Sequence, residues 1–383
     1  VKAKVVGIGI VVLVIVVGLV QLLRPLPNPQ LTLQGAAESV VPGKAQFSFP
    51  GEGQSAVAVT GVGLMGATAN QTPVPIASLT KMMTAYVVLK HHPLLEGEDG
   101  PTLTMTAEDE ALYKKDKAAG DSVVKVVAGD KWTERQMLEG LMLPSGDNMA
   151  MTLAKWTAGS ESAFIKEMND TAKQLGMNNT TYADVSGVNP ASRSTAVDQL
   201  KIADAAMQIP AFRDIVKEAQ ATLPGAGTVY NVDYFVGKNG IVGVKTGSTS
   251  QAGGCFVSAM YHNVGGKQVL MLGAVLGQHG GQPLMSALKA NLTLLQEAGK
   301  YITTSSISKG TTVGSASVPW QSPVPLQTSE DATYIAFPGM TVTRKLVGNN
   351  LQVTAGEQKI TVPLTQAEQL KKPSLKWRLM RLS

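Results

Sequence analysis

The spacing of apolar residues changes several times along the chain, and the changes mark its segments. Residues 5–23 are apolar except for Gln21, close to the roughly 20 residues a helix needs to cross a bilayer. The run follows Lys2 and Lys4 and ends Gln21-Leu22-Leu23-Arg24-Pro25, without the small-residue exit of a cleavable signal peptide. It reads as an uncleaved signal anchor, amino terminus inside and the remainder exported. Residues 25–53, rich in Pro, Gly, Ser and Gln, show no period and read as a stalk. Residues 55–60 and 63–67 are short, glycine-punctuated and partly apolar, as in a hairpin. After Pro75, Leu79, Met82, Met83, Tyr86 and Leu89 recur at helical spacing with no glycine between them. That predicts a largely buried helix opening near Ser78.

Thr106-Ala107-Glu108-Asp109 reads as a helix start, and Thr133-Glu134-Arg135-Gln136 has the form of a capping box. Leu138, Leu141 and Leu143 carry the second helix to Pro144-Ser145, and another leaves from Met149. Ser145-Gly146-Asp147-Asn148 is therefore expected in a turn between two helices. Residues 164–175 form an amphipathic helix ended by Gly176, and residues 194–198 open another with a plausible cap. Apolar runs at 229–236 and 241–244, then 255–261 and 269–276, read as strands around turns. Leu284, Leu288, Leu292 and Leu295 mark a closing helix. From residue 302 the pattern shifts to short alternating runs such as Thr341-Val342-Thr343-Arg344, a small β domain. In the tail, Leu375, Trp377 and Leu379 alternate with Lys376 and Arg378, which predicts an edge strand through Leu382 in preference to a membrane-surface anchor.

Composition narrows the classes of function. With 383 residues, 44% of them hydrophobic, the chain has enough apolar side chain for a sizeable core. The formal net charge of +5 is spread along the sequence with no aromatic-interleaved basic block, which argues against nucleic acid. Cys255 is the only cysteine, so neither an internal disulfide nor a cysteine-based metal cluster is available, and the four histidines lack metal-ligand spacing. No cofactor or metal is expected.

Candidate chemistry begins with Ser78 and Lys81. Three residues apart on a helix, they share one face. A serine needs a base within hydrogen-bond reach to become a nucleophile, and a lysine in its neutral form can serve. A helix N-terminus disfavours charge on that lysine and offers a free N–H to a developing oxyanion. Alone, Ser-x-x-Lys equally describes a capping serine before a solvated lysine. Two further motifs follow in order, Ser145-Gly146-Asp147-Asn148 and Lys245-Thr246-Gly247-Ser248-Thr249. Together the three resemble the serine-type penicillin-recognising enzymes, and Pro75-Ile76-Ala77-Ser78-Leu79-Thr80-Lys81-Met82-Met83-Thr84-Ala85 resembles the D-alanyl-D-alanine carboxypeptidases, the low-molecular-weight penicillin-binding proteins.

The resemblance, strong over about residues 55–300, implies an α/β (α+β) fold: a β-lactamase/transpeptidase-like domain with a central antiparallel sheet flanked by helices. The chain then divides into a signal anchor (1–24), a stalk (25–53), a peptidase domain (54–300) and a β domain (301–383). It implies that Ser78 attacks the penultimate D-alanine of a peptidoglycan stem peptide, that Lys81 accepts its proton, and that Ser145 relays a proton to the leaving D-alanine. Lys245 and Thr246, with Gly247 and Ser248 on the same strand, would bind the terminal carboxylate, and the N–H groups of Ser78 and Ser248 would form the oxyanion hole. β-Lactams would acylate the same serine. One position departs from the family's Ser-x-Asn: the third residue is Asp147, with Asn148 next. A carboxylate beside Lys81 would stabilise its ammonium form and oppose a general-base role. Either Asn148 swings into the place, or Asp147 is itself protonated or paired, or catalysis is weakened. Endopeptidase cleavage of cross-links uses the same residues, and a non-catalytic wall-binding scaffold is the reading from a different class.

Overall fold

The computed structural model describes residues 2–381, with side chains from residue 6 onward. It divides into two units, residues 43–303 and residues 1–42 with 304–383.

In the larger unit, among the described residues, five antiparallel strands form the central sheet. They are β1 (Gln54–Val59), β2 (Gly63–Ala67), β3 (Ile241–Thr249), β4 (Gly253–Val264) and β5 (Lys267–Gln278), in the order β3-β4-β5-β1-β2. Both faces of the sheet are covered, so residues 253–260 are buried without interruption. On one face Phe256 and its cross-strand partner Val275 pack with Ala287 and Leu288 of the helix Pro283–Gly299. Asn291 of that helix ties to the sheet by accepting from Ser258 Oγ at 2.6 Å and donating to the Phe256 carbonyl at 3.1 Å. On the other face Val257, Ala259, Leu272 and Ala274 join the main core with the helix Ala196–Met207. The amino-terminal helix α1 (Lys2–Leu23) belongs to the smaller unit, and α2 (Thr80–His91) lies in the core of the larger one. Nine α2 residues are buried, because other elements surround it and no solvated face is left. Helices α3 (Glu134–Met142) and α4 (Asp147–Ala158) pack beside it, α3 opening on the expected Thr133/Gln136 capping box.

In the smaller unit, among the described residues, a seven-stranded sheet runs Gln30–Leu33, Thr312–Val318, Gln321–Thr328, Gln358–Gln366, Asn350–Ala355, Thr341–Val347, Glu38–Val40. Its two edge strands come from the stretch read as a stalk. Residues 25–53 are thus not a free linker: Leu31 pairs with Ala316 and Ser39 with Val342, strands too short to show a period.

The tail is a correction too. Leu375–Met380 is a helix, α5, capped by Ser374 Oγ accepting from the Trp377 N–H at 3.2 Å. A helix therefore stands where a strand was expected, and its groups bond to α1 and the residues that follow it. Leu382 lies outside the described residues, as do the side chains of Lys2 and Lys4. The span Val6–Leu23 of α1 is long and apolar enough to cross a membrane.

Candidate active site

Ser78 lies in a single 3₁₀ turn, Ala77–Leu79, that feeds directly into α2. Ala77 before it has φ 49°, a left-handed backbone that an alanine holds only under constraint. The constraint comes from two glycines. A Cβ on Gly187 would stand 1.8 Å from the Ala77 carbonyl oxygen, and one on Gly247 would stand 3.0 Å from both the Ile76 oxygen and the Ser78 nitrogen. The loop after residue 183 and the Lys-Thr-Gly strand thus grip the turn from two sides. The glycine in that motif lets β3 come close to the backbone of Ser78.

The Ser78 side chain remains half-buried and reachable, whereas Lys81 is fully buried. Lys81 Nζ lies 2.8 Å from Ser78 Oγ, 2.6 Å from Asp147 Oδ1 and 3.0 Å from the Ser186 carbonyl oxygen. An ammonium has three N–H donors, and here each has an acceptor. A buried ammonium without a counter-charge would cost several kcal/mol, and the Asp147 carboxylate offsets that cost.

Asp147 therefore fills the place opposite Lys81, and Asn148 does not. Asn148 Oδ1 accepts from the Val124 N–H at 2.9 Å and its Nδ2 donates to the Val124 carbonyl at 2.8 Å. With both ends of its amide engaged and 1% exposure, Asn148 fixes Val124 onto α4, and its amide is turned to that backbone, not to Lys81. Ser145, in the turn between α3 and α4, has φ 67°. Its Oγ is buried with no hydrogen-bond partner among the described residues, leaving it free to exchange a proton.

Lys245 and Thr246 are buried on β3, and Ser248 is exposed at its end. Burial and the nearby Lys81 cation hold the Lys245 ammonium well below its ordinary range, opposed by Asp147 and Asp233. The Lys245 amine donates only to the neighbouring Thr246 carbonyl at 3.2 Å, and no carboxylate lies within 4.0 Å of it among the described residues. Such a cation gains strongly from an incoming anion.

Two contributors were not evident from the sequence. Asp184 organises the loop that presents the Ser186 carbonyl: Oδ2 accepts from Gly187 N at 2.8 Å and Asn189 N at 3.1 Å, and Oδ1 from Ser192 Oγ at 2.5 Å. The pattern Asp184-Val185-Ser186-Gly187 carries turn chemistry, the one local signal for it. Asp233 is the other, buried with Oδ2 unpartnered among the described residues and raised to about 6, chiefly by burial. It faces Lys245 from the loop before β3.

The chain is similar to known proteins over most of the larger unit. The D-alanyl-D-alanine carboxypeptidase family matches residues 55–277. A D-alanyl-D-alanine carboxypeptidase of Streptomyces sp. (strain K15) is 37% identical over 211 residues, 50% of this chain and 69% of that one. A D-alanyl-D-alanine endopeptidase of Escherichia coli (strain K12) is 31% identical over 194 residues, 48% of this chain and 58% of that one. The crystal structure of the Streptomyces K15 DD-transpeptidase superposes with a TM-score of 0.57 at 29% identity, covering 67% of this chain and 99% of that one. With more than half its length matched and the three motifs gathered around one serine, the chain belongs to the D-alanyl-D-alanine carboxypeptidase family of serine-type peptidases.

Proposed function

We propose that the chain is a D-alanyl-D-alanine carboxypeptidase acting on peptidoglycan stem peptides, held at the outer face of the cell membrane by α1. The observation that carries the reading is Ser78 Oγ at 2.8 Å from Lys81 Nζ, beside a strand whose Lys245 has no anionic partner. Ser78 Oγ attacks the carbonyl carbon of the penultimate D-alanine. The serine proton passes to Lys81 in its neutral form, the bond to the terminal D-alanine nitrogen breaks, and Ser145 returns a proton to that leaving amine. Water then hydrolyses the acyl-enzyme. Lys245 and Thr246 bind the terminal carboxylate, for which a point charge and a hydroxyl are suitable partners. The N–H groups of Ser78 and Ser248 stabilise the oxyanion. Penicillins enter by the same attack and stay as a penicilloyl ester.

Gel labelling with a fluorescent penicillin, beside release of D-alanine from a pentapeptide, tests this reading. Ser78→Ala should lose both signals with little change in thermal stability. A penicilloyl group located by mass spectrometry on another residue would refute the assignment.

A further inference from the structure

Four ionisable side chains are buried at the site: Lys81 on α2, Asp147 on α4, Lys245 on β3 and Asp233 on the loop before β3. Their charges balance, but they do not form two equal pairs. Asp147 Oδ1 meets Lys81 Nζ at 2.6 Å, so its charge is matched by that ammonium. Lys245 has no such contact, since its amine donates only to the Thr246 carbonyl at 3.2 Å. The anion left over is Asp233, 2% exposed, with Oδ2 buried and without a hydrogen-bond partner among the described residues.

The loop holds Asp233 in that place. Its N–H donates to Asn231 Oδ1 at 2.9 Å, its Oδ1 accepts from the Phe235 N–H at 2.9 Å, and its carbonyl accepts from the Val236 N–H at 3.2 Å. With Oδ1 engaged, Oδ2 is the oxygen left without a donor. The Val232 N–H donates to the Leu143 carbonyl at 3.1 Å, which ties the loop to the chain just before Ser145. Two cations face Asp233, Lys245 and the exposed Lys238. Burial raises its carboxyl only to about 6, so it is ionised at neutral pH. Lys245 in turn feels Lys81 against its charge, and Asp147 and Asp233 in its favour. Because Asp147 is bound to Lys81, the balance at Lys245 falls to Asp233. A buried amine without a counter-charge gives up its proton.

We propose that Asp233 is a positioning residue for carboxylate recognition: as the counter-charge to Lys245 it keeps that amine an ammonium in the empty site, and so sets the preference for ligands that carry a carboxylate. The proposal rests on the reading of Lys245 as the group that binds the substrate's terminal carboxylate. Removing the Asp233 charge lowers the pH at which Lys245 becomes neutral. In acid the amine keeps its proton without help, and the effect of Asp233 vanishes there.

The test compares acylation of the full-length protein in detergent by benzylpenicillin, which carries an ionised carboxylate, and by its methyl ester, from about pH 5 to about pH 8. Mass spectrometry follows both, and the quantity read is the ratio of the two rate constants, acid over ester. Lys81 serves both probes alike, so its titration cancels in the ratio. The wild-type chain should prefer the acid. Asp233→Asn retains an acceptor for the Phe235 N–H. Its ratio should match wild type at about pH 5 and be about ten-fold lower by about pH 8, the difference between a charged and a neutral hydrogen bond. Asp233→Glu, which restores the charge, should recover most of the ratio. A ratio in Asp233→Asn equal to wild type at every pH, or a loss shared equally by the two probes, would overturn the proposal and leave Asp233 a structural residue. Wild-type protein acylated equally by the two probes would overturn the carboxylate role of Lys245, and acylation by neither would overturn Ser78 as the penicillin-reactive serine.

Discussion

Asparagine at position 147 would remove a charge from the site while keeping an acceptor oxygen in the same place. Lys81 donates to Ser78, Asp147 and Ser186 at once, so its resting form is an ammonium with no lone pair for the Ser78 proton. A hydrogen bond to a charged group contributes about 1.5–3 kcal/mol, roughly twice a neutral one. Acylation has to pass through the neutral amine, and Asp147→Asn lowers the cost of reaching it by about 1.5 kcal/mol or more. The expected result is acylation about 10- to 100-fold faster at neutral pH. Folding stability should move the opposite way, by on the order of 3 kcal/mol, because the buried ammonium loses its counter-charge. Stopped-flow acylation by a fluorescent penicillin from about pH 5 to about pH 9, alongside thermal melts, measures both effects. A variant that acylates more slowly at every pH would refute the reasoning and make Asp147 the acceptor of the Lys81 proton.

Asn148→Ala should cost about 1–3 kcal/mol of stability through the unpaired Val124 backbone, measured by denaturant titration, while an intact turn keeps its penicillin labelling. Gly247→Ala places a methyl 3.0 Å from the Ser78 nitrogen and should slow acylation at least about 10-fold by displacing the nucleophile's turn, visible in the same stopped-flow assay. Glu134 is fully buried with both oxygens unpartnered among the described residues, and burial raises it from 4.5 to about 7. The folded state thus keeps a proton that the unfolded chain releases, a contribution complete below pH 4.5 and lost as pH rises through about 7. At about 1.36 kcal/mol per unit this is roughly 3 kcal/mol, and Glu134→Gln should flatten that part of the stability–pH curve. Cys255 is buried, and burial pushes its thiol up to about 12, so a maleimide should label it only at the rate of global unfolding.

Much of the site was legible in short windows of sequence. Helical spacing placed Lys81 one turn after Ser78, a capping box started α3, and apolar runs around turn residues marked the hairpin strands β4 and β5. Each signal spans no more than a few turns or one hairpin, the range over which backbone geometry by itself sets which side chains are neighbours. The division between Asp147 and Asn148 lay beyond that range. Adjacent residues in the first turn of a helix point in different directions, so only one can face Lys81, and the choice was made by a backbone pair at Val124 in the preceding loop. The Ser186 carbonyl reaches Lys81 across 105 residues, held by a loop whose four residues carry no period.

The same limit explains the two corrections. Residues 30–33 and 38–40 are too short to declare themselves as strands, and they become strands because the β unit offers two open edges. The alternating tail takes up a helix capped by Ser374, whose arginines meet carbonyls at and just beyond the end of α1. Hydrophobic period and capping chemistry are local, and the sequence by itself determined the longer elements of the larger unit and the reactive pair. Which carboxylate, carbonyl or free helix end each element meets depends on long-range closure of the chain, where unpaired polar groups and open edges find partners, and only the tertiary structure decided that.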